Sequence, residues 1–280
     1  MEEWILTPDE INQFQNQLFL DEKSQATIEK YIRDINTFSH YVNGMPITKE
    51  TVIAYKRYLQ TRYSVRSINS MLAAVNVFFS FLGKTDLKVK AMKIQQEIFC
   101  PEEKELTRAE YTRLCRTAES RRQKKLSLIL QTLCATGIRI SELKFFTVEM
   151  IRQGKIIVNC KSKTRIVFLV KDLKKKLLRY AAEQQIKNGM IFITRTGKPV
   201  NRTNVWKEMK MLCDDAHVNP RKVFPHNLRH LFARIFYGIK KDIVALADIL
   251  GHSSINTSRI YIVSTGTEHR RNMETMKLIL

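Results

Sequence analysis

The sequence predicts a mainly helical protein with a small β-sheet, an α+β fold built from two domains of different charge. Through residues 1–95, apolar side chains recur with the helical period of about 3.6 residues. Two short β-branched runs follow in the second half, and a charged stretch with a proline at residues 96–105 separates the halves. With 280 residues, 44% of them hydrophobic, the chain is long enough for two domains with their own cores.

Three helices can be placed in residues 1–95. The first begins after Ser24, the second after Thr48, where Thr51 completes a capping pair, and the third runs from about Val65 to Gly83. Basic residues are segregated on the polar faces from the second helix onward, where they are candidates for contact with an anionic partner. They are Lys56, Arg57, Arg62, Arg66 and Lys84.

The positive charge is concentrated in the second half. The chain has a net charge of +21, yet residues 1–105 hold 13 Lys and Arg against 14 Asp and Glu, so the remainder carries +22. This balance predicts an anionic partner, with nucleic acid ahead of a membrane surface. No apolar run approaches the ~18 residues of a transmembrane helix, and the acidic start does not resemble a signal peptide. The five cysteines form no CxxC motif and are interpreted as reduced thiols of a cytosolic protein.

The second domain is predicted to open with two helices, Thr107–Ala118 and Leu126–Ala135. The second of them ends at Gly137, and Ser141 is placed at the start of the next helix. Arg139 therefore lies at a turn beside a helix N-terminus, where backbone N–H groups already favour an anion. The alternative is an ordinary surface arginine.

A β-hairpin is predicted next. Two apolar runs, Ile156–Val158 and Ile166–Val170, are joined by a polar loop at residues 161–165. Both runs are short enough to be buried helix, but their β-branched content favours strands. The loop would place three cations near the hairpin tip: Lys161, Lys163 and Arg165. A further short strand is predicted at Met190–Ile193.

The stretch from Pro225 carries the most specific chemistry. Pro225 suits the first turn of a helix, and His226 and Arg229 then lie on one face, where an imidazole and a guanidinium can point at one phosphate. A solvated helix face is the alternative. His226 and His230 also have the spacing of zinc ligands, but Asn227 stands where a helical zinc protease has glutamate, and no third ligand is evident.

The chain then continues with a predicted apolar helix, Ile243–Leu250, that ends at Gly251. His252 follows, and Tyr261 lies nine positions after it. The last stretch, residues 267–280, ends in apolar side chains and is expected to dock on its own domain or on a neighbouring protomer.

In this order, Arg139, the basic hairpin, His226-x-x-Arg229, Gly251-His252 and Tyr261 resemble the tyrosine recombinase (phage integrase) family, close to its Xer-type and transposon integrase branches. The N-terminal half resembles the core-binding domain of that family. The resemblance implies a SAM-like helical core-binding domain at residues 1–95, a linker at 96–105 and a catalytic domain at 106–280, together forming a C-shaped clamp.

The resemblance also implies a function: site-specific cleavage and rejoining of DNA through a 3′-phosphotyrosyl intermediate, for integration, excision, inversion or resolution. Tyr261 would be the nucleophile, Arg139 and Arg229 would clamp the non-bridging oxygens, His226 would act as acid–base residue, and His252 would donate a hydrogen bond to the phosphate. No metal, other cofactor or ATP is implied.

A lysine of the hairpin is implied to protonate the departing 5′-oxygen. The hairpin is one residue shorter than the common version in the family, so its alignment is open. Alignment on the first lysine gives Lys161, whereas alignment on the following Arg165 leaves Lys163 as the alternative.

The implied partners are a double-stranded DNA target site and further copies of the chain, joined into a dimer or tetramer through the C-terminal tail. Lys56, Arg57, Arg62, Arg66, Lys84, Lys163 and Arg165 are the candidate DNA-binding residues. The expected location is the cytoplasm, on the nucleoid, with no membrane association and a bacterial, phage or mobile-element origin. A DNA-binding regulator without chemistry and a topoisomerase are the alternative functions.

Overall fold

The computed structural model describes residues 4–93, 104–160, 163–252, 254–259 and 275. The chain divides into two compact units, Met1–Gln96 and Glu97–Leu280, each with its own hydrophobic core. The predicted fold class, mainly helical with a small β-sheet, is confirmed. Within the part of the chain that the structure describes, no helix is long and apolar enough to cross a membrane.

The first unit is a four-helix domain. Its helices are α1 (Pro8–Leu20), α2 (Gln25–Val42), α3 (Lys49–Gln60) and α4 (Val65–Phe81), followed by a short 3-10 helix at Thr85–Leu87. The predicted capping pair of Thr48 and Thr51 is present at the start of α3. Ser24 is the N-cap of α2, but its hydroxyl bonds the hydroxyl of Thr27 instead of a backbone N–H. The core combines aliphatic side chains with a cluster of aromatic rings; Phe38 and Phe79, both fully buried, pack edge to face at 5.8 Å between centroids.

Side chains of α4 hold the chain that leaves the first unit. Asn76 accepts a hydrogen bond from the N–H of Val89 at 3.0 Å and donates to its carbonyl at 2.8 Å. Asn69 does the same with Met92, at 2.7 and 2.9 Å. Seven helical residues rise about 10.5 Å and three extended residues cover about 10 Å, so the two spacings match. The path of the chain towards the linker is thereby fixed on α4 as far as Met92.

The second unit is built around one buried helix. Its helices are α5 (Arg108–Ser120), α6 (Lys124–Thr136), α7 (Val148–Gln153), α8 (Lys171–Glu183), α9 (Arg202–Lys210), α10 (Pro225–Lys240), α11 (Ile243–Leu250) and α12 (Ile255–Arg259), with 3-10 helices at Ile140–Phe145 and Pro220–Lys222. Helix α6 packs against α5, α8, α9 and α10. Most of its side chains are buried, including the polar ones of Ser127, Thr132 and Thr136, because neighbouring helices enclose it on several sides.

The predicted hairpin is present, with a shorter connection than expected. Strands β1 (Lys155–Cys160) and β2 (Lys163–Phe168) pair antiparallel, with Cys160 opposite Lys163. Only residues 161 and 162 connect them, and both lie outside the described residues. The expectation of a loop at residues 161–165 was therefore wrong, because the strand ladder extends to the tip. Arg165 lies within β2, opposite Val158.

The strand predicted at Met190–Ile193 is not formed as such. Met190 makes an isolated bridge to Thr147, and Ile193 makes one to Pro199. The two residues between them are buried in the core, so the apolar pattern reports burial here. No strand ladder forms here, because the two ends of this short run pair with two different loops.

Candidate active site

A glycine turn at the end of α6 positions the first arginine. Gly137 has φ +62°, and a Cβ there would lie 2.4 Å from Cδ1 of Phe232 and 2.9 Å from Cδ2 of Leu250. Only glycine combines this conformation with so close a contact. Two residues later, Arg139 is the N-cap of the 3-10 helix Ile140–Phe145. The expected helix start is therefore present, although the helix is 3-10.

A buried glutamate holds Arg139 in place. Glu142 is 0% exposed and accepts hydrogen bonds from the backbone N–H of Arg139 at 2.8 Å and from its Nη1 at 3.1 Å. Arg165 reaches the same carboxylate with Nη1 at 3.0 Å and Nη2 at 2.6 Å. Burial alone would raise the pKa of Glu142, but the hydrogen bonds and charges of the two arginines lower it. Glu142 is thus an ionised carboxylate shared by two guanidinium groups.

The second arginine is buried in α10. Arg229 is 1% exposed; its Nη1 donates to the carbonyl of Gly137 at 2.6 Å and its Nη2 to the carbonyl of Leu250 at 2.7 Å. Its Nη2 also lies 2.9 Å from Nε2 of His252. These hydrogen bonds link the ends of α6 and α11 to His252. They also compensate the cost of burying the guanidinium charge of Arg229.

The bond from Arg229 fixes the state of His252. Because a guanidinium can only donate, Nε2 of His252 accepts, and the ring proton is on Nδ1. That Nδ1 lies 2.7 Å from Oγ of Ser258, which is fully buried and accepts a hydrogen bond from the Nδ1–H. Burial, together with Arg229 and other nearby cations, lowers the pKa of His252 to about 4. The imidazole is therefore neutral at pH 7.

His226 lies near both arginines. Loss of hydration lowers its pKa, and the charges of Arg229, Arg139 and Arg202 add to this effect. The ring of His230 packs edge on against it, with 4.8 Å between centroids, and burial lowers the pKa of His230 to about 4. No group of three or more His, Cys, Asp or Glu side chains that could hold a metal occurs among the described residues.

Asn227 faces a different part of the unit. Its Nδ2 donates to the carbonyls of Lys104 and Lys222 at 2.9 and 2.7 Å. The residue therefore ties Lys104, near the start of the second unit, to the start of α10.

Of the six predicted catalytic residues, the structure brings four together, namely Arg139, His226, Arg229 and His252. The other two, Lys161 and Tyr261, lie outside the described residues. The C-terminal tail lies outside them as well, apart from Thr275.

Three functional candidates in this region were not singled out from the sequence. Glu142 is the third residue after Arg139, which is the spacing of a capping box, but this signal was not used. Ser258 carried no signal beyond its place between His252 and Tyr261, and Arg202 is an exposed cation at the start of α9. Ser258 and Arg202 meet the site only through the fold, so spacing along the chain gave no warning of them.

The five basic candidates of the first unit have three kinds of surroundings. Lys56 donates to a backbone carbonyl beyond α4 at 2.7 Å. Arg62 and Lys84 lie over aromatic rings, at 4.4 and 4.9 Å from the centroids. Arg57 and Arg66 are exposed on the surface.

Comparison with known proteins identifies two matching families. Residues 104–268 match the phage integrase family, and residues 11–85 match the phage integrase N-terminal SAM-like domain. The chain is 30% identical over 280 residues to the tyrosine recombinase XerA of Thermococcus kodakarensis, an alignment that covers 96% of this chain and 95% of that protein.

Solved structures share the fold. A lambda integrase tetramer bound to a Holliday junction superposes with a TM-score of 0.74 at 17% identity, covering 93% of this chain and 78% of that one. The XerH recombinase bound to its difH substrate in a pre-cleavage complex superposes with a TM-score of 0.72 at 19% identity, covering 98% and 85%. The family match spans more than half of the sequence, and the protein therefore belongs to the phage integrase family of tyrosine recombinases.

Proposed function

We propose that this protein is a site-specific DNA recombinase that cuts and rejoins DNA through a phosphotyrosyl bond at Tyr261. The observation that carries the proposal is the convergence of Arg139, Arg229, His226 and His252 on one region of the second unit. The XerA relative is named a tyrosine recombinase, and the lambda integrase and XerH structures are complexes with DNA.

The chemistry is an exchange of one phosphate ester for another. The phenol oxygen of Tyr261 attacks phosphorus and the 5′-oxygen of the next nucleotide leaves, so the strand ends in a 3′-phosphotyrosyl ester and a 5′-hydroxyl. Because one ester replaces another, the reverse step rejoins DNA without ATP. Negative charge grows on the non-bridging oxygens in the transition state, where Arg139 and Arg229 stabilise it.

Two proton transfers accompany the exchange. The neutral state of His226, which follows from its lowered pKa, enables it to accept the proton of the Tyr261 phenol. Lys161 at the hairpin tip would donate a proton to the departing 5′-oxygen, with Lys163 at the start of β2 as the alternative donor.

Binding of the phosphate requires a change at His252. In the structure, its Nε2 accepts a hydrogen bond from Arg229 and cannot donate to a phosphate oxygen. When the guanidinium of Arg229 turns to the phosphate, His252 can donate a hydrogen bond to the phosphate only if Nε2 carries the ring proton. Nδ1 must then accept a hydrogen bond from Ser258. The hydroxyl of Ser258 can serve both tautomers, because it donates as well as accepts.

The two parts of the chain have separate roles in this proposal. Residues 1–95 form a core-binding domain, residues 96–105 a linker and residues 106–280 the catalytic domain. Arg57, Arg62 and Arg66 are the exposed members of the N-terminal candidates for phosphate contact. By analogy with the lambda integrase tetramer, copies of the chain assemble on DNA in the cytoplasm, with residues 267–280 as the proposed contact between protomers.

Covalent capture tests the proposal. Labelled fragments of the DNA that flanks the gene are incubated with the protein and separated under denaturing conditions, and the cleaved site is then rebuilt as a nicked duplex that traps the intermediate. Wild-type protein is expected to form a covalent adduct, and Tyr261→Phe is expected to form none. Tyr237→Phe, which changes another tyrosine of the same unit, is the matched control and should retain the adduct. An adduct with Tyr261→Phe, or none with wild-type protein, would overturn the proposal.

A further inference from the structure

We propose that Arg165 is a positioning residue of the reaction: it holds the buried carboxylate of Glu142 so that Arg139 keeps its charge for the scissile phosphate. The proposal rests on the proposed function, in which Arg139 stabilises the phosphate. It also changes the role that the sequence predicted for Arg165, which was direct contact with DNA from the hairpin tip.

Arg165 and Arg139 bind the carboxylate of Glu142 with different geometry. Arg165 approaches Glu142 as a fork, with its two terminal nitrogens 3.0 and 2.6 Å from the two oxygens. Arg139 contributes one guanidinium nitrogen at 3.1 Å, together with its backbone N–H. The paired contact is the stronger arrangement for a guanidinium and a carboxylate. Arg165 is therefore the main partner of the carboxylate, and Arg139 is the secondary one.

The charged side chains of Arg139, Glu142 and Arg165 are exposed to solvent to different extents. The side chain of Glu142 is 0% exposed, that of Arg165 is 13% exposed and that of Arg139 is 42% exposed. One negative charge thus lies between two positive ones, and the surplus positive charge is on the side that solvent reaches. Without Arg165, the carboxylate and Arg139 would form a neutral pair. An anion that approached Arg139 would then meet a guanidinium whose charge is already compensated.

Arg165 makes a second contact, with the turn at Gly251. Gly251 has φ +67°, and a Cβ there would lie 2.8 Å from Cδ of Arg165 and 3.0 Å from its Nη1. The stem of Arg165 therefore packs directly against the backbone of the residue before His252. One side chain in β2 thus contacts both turns that carry phosphate-binding candidates, those at Arg139 and at His252. Arg165 also lies four residues after Lys161, so it anchors the hairpin that carries the proposed acid.

The test uses two variants and a matched control. Arg165→Gln removes the charge, whereas Arg165→Lys keeps the charge and loses the fork. The control is Arg121→Gln, which breaks another arginine–carboxylate pair of the same unit, the one with Asp215 at 2.6 Å. For each protein, DNA affinity, unfolding in urea and single-turnover cleavage are measured.

Cleavage is compared on two substrates that differ only at the scissile phosphate. One has the natural phosphate, and the other has a methylphosphonate, in which a methyl group replaces a charged oxygen. We expect Arg165→Gln to cleave the natural substrate about 100-fold more slowly than wild type, in the range for the loss of one transition-state donor. On the methylphosphonate its deficit should shrink to a few-fold, because there is less charge for Arg139 to stabilise. On the natural substrate, the cleavage rate of Arg165→Lys should lie between those of wild type and Arg165→Gln. Arg121→Gln should cleave as fast as wild type.

The outcomes separate this inference from the proposed function. An equal deficit of Arg165→Gln on both substrates would mean a purely structural role and would overturn the inference. Cleavage by Arg165→Gln as fast as by Arg121→Gln would also overturn it, while the recombinase function would stand. If wild-type protein forms no adduct on either substrate, the proposed function itself fails.

Discussion

At the scale of single residues, the protonation and the orientation of the side chains in this site are determined by the residues that they contact. The arginine contact fixes the tautomer of His252, and the buried Glu142 holds Arg139 by its backbone and its side chain. The spacing of His226 and Arg229 was sufficient to predict that the two side chains lie near each other, and a common ligand stays a prediction. The bond of Glu142 to Arg139 has the local spacing of a capping box. Its fork with Arg165 and the bond of Ser258 to His252 depend on how the chain folds, and could not be predicted in the same way.

The lowered pKa values of the histidines predict a pH dependence of stability. The pKa of His230 and that of His252 are lowered from 6.5 to about 4 in the folded protein. Between these two pH values the unfolded chain binds more protons, so the free energy of unfolding should fall as pH falls. Each histidine contributes at most about 1.4 kcal/mol per pH unit.

Urea unfolding at several pH values between 7 and 5 checks this prediction. Above pH 5 most carboxylates remain ionised in both states, so the histidines dominate the slope. The variant His230→Gln should show a shallower loss of stability than wild type over the same range. Stability that is constant or increases on acidification would contradict the assigned neutral states.

At the scale of elements, the turn after α6 determines where the first arginine lies. Gly137→Ala is predicted to destabilise the protein by about 3 kcal/mol, since it combines an unfavourable φ with overpacking against Phe232. Gly197→Ala is the control: its φ of +75° is as unfavourable, but nothing lies within 4 Å of the added Cβ. The control should lose only about 1 kcal/mol. Equal losses in urea unfolding would show that the close contact at Gly137 has no energetic weight.

Helices were predicted from the sequence more accurately than strands. Those at Ile243–Leu250 and from Val65 follow their apolar period and their caps, which are local signals. The hairpin was predicted, but its tip was placed too wide, because strand pairing is decided by the partner and not by the loop residues. The run at Met190–Ile193 was buried for tertiary reasons, which a short apolar pattern cannot distinguish from a strand.

At the scale of the whole molecule, charge is distributed unequally along the chain. Residues 1–105 are close to neutral in sum, while the remainder carries the +22 that was counted from the sequence. If this charge neutralises six or more phosphates, the affinity for DNA should fall about 1,000-fold between 50 and 200 mM salt. Fluorescence anisotropy of the full chain on labelled duplex measures this slope. An affinity independent of salt would contradict the view that phosphates are its main partner.

The most direct test of the central claim is the chemical identity of the protein–DNA bond. Trypsin should release the peptide Ile260–Arg270, which contains Tyr261 as its sole tyrosine. Mass spectrometry of the digested adduct is predicted to find this peptide with a nucleotide attached to Tyr261 through a 3′-phosphate, and the released strand should carry a 5′-hydroxyl. A nucleotide on any other residue, or a bond through a 5′-phosphate, would contradict the account.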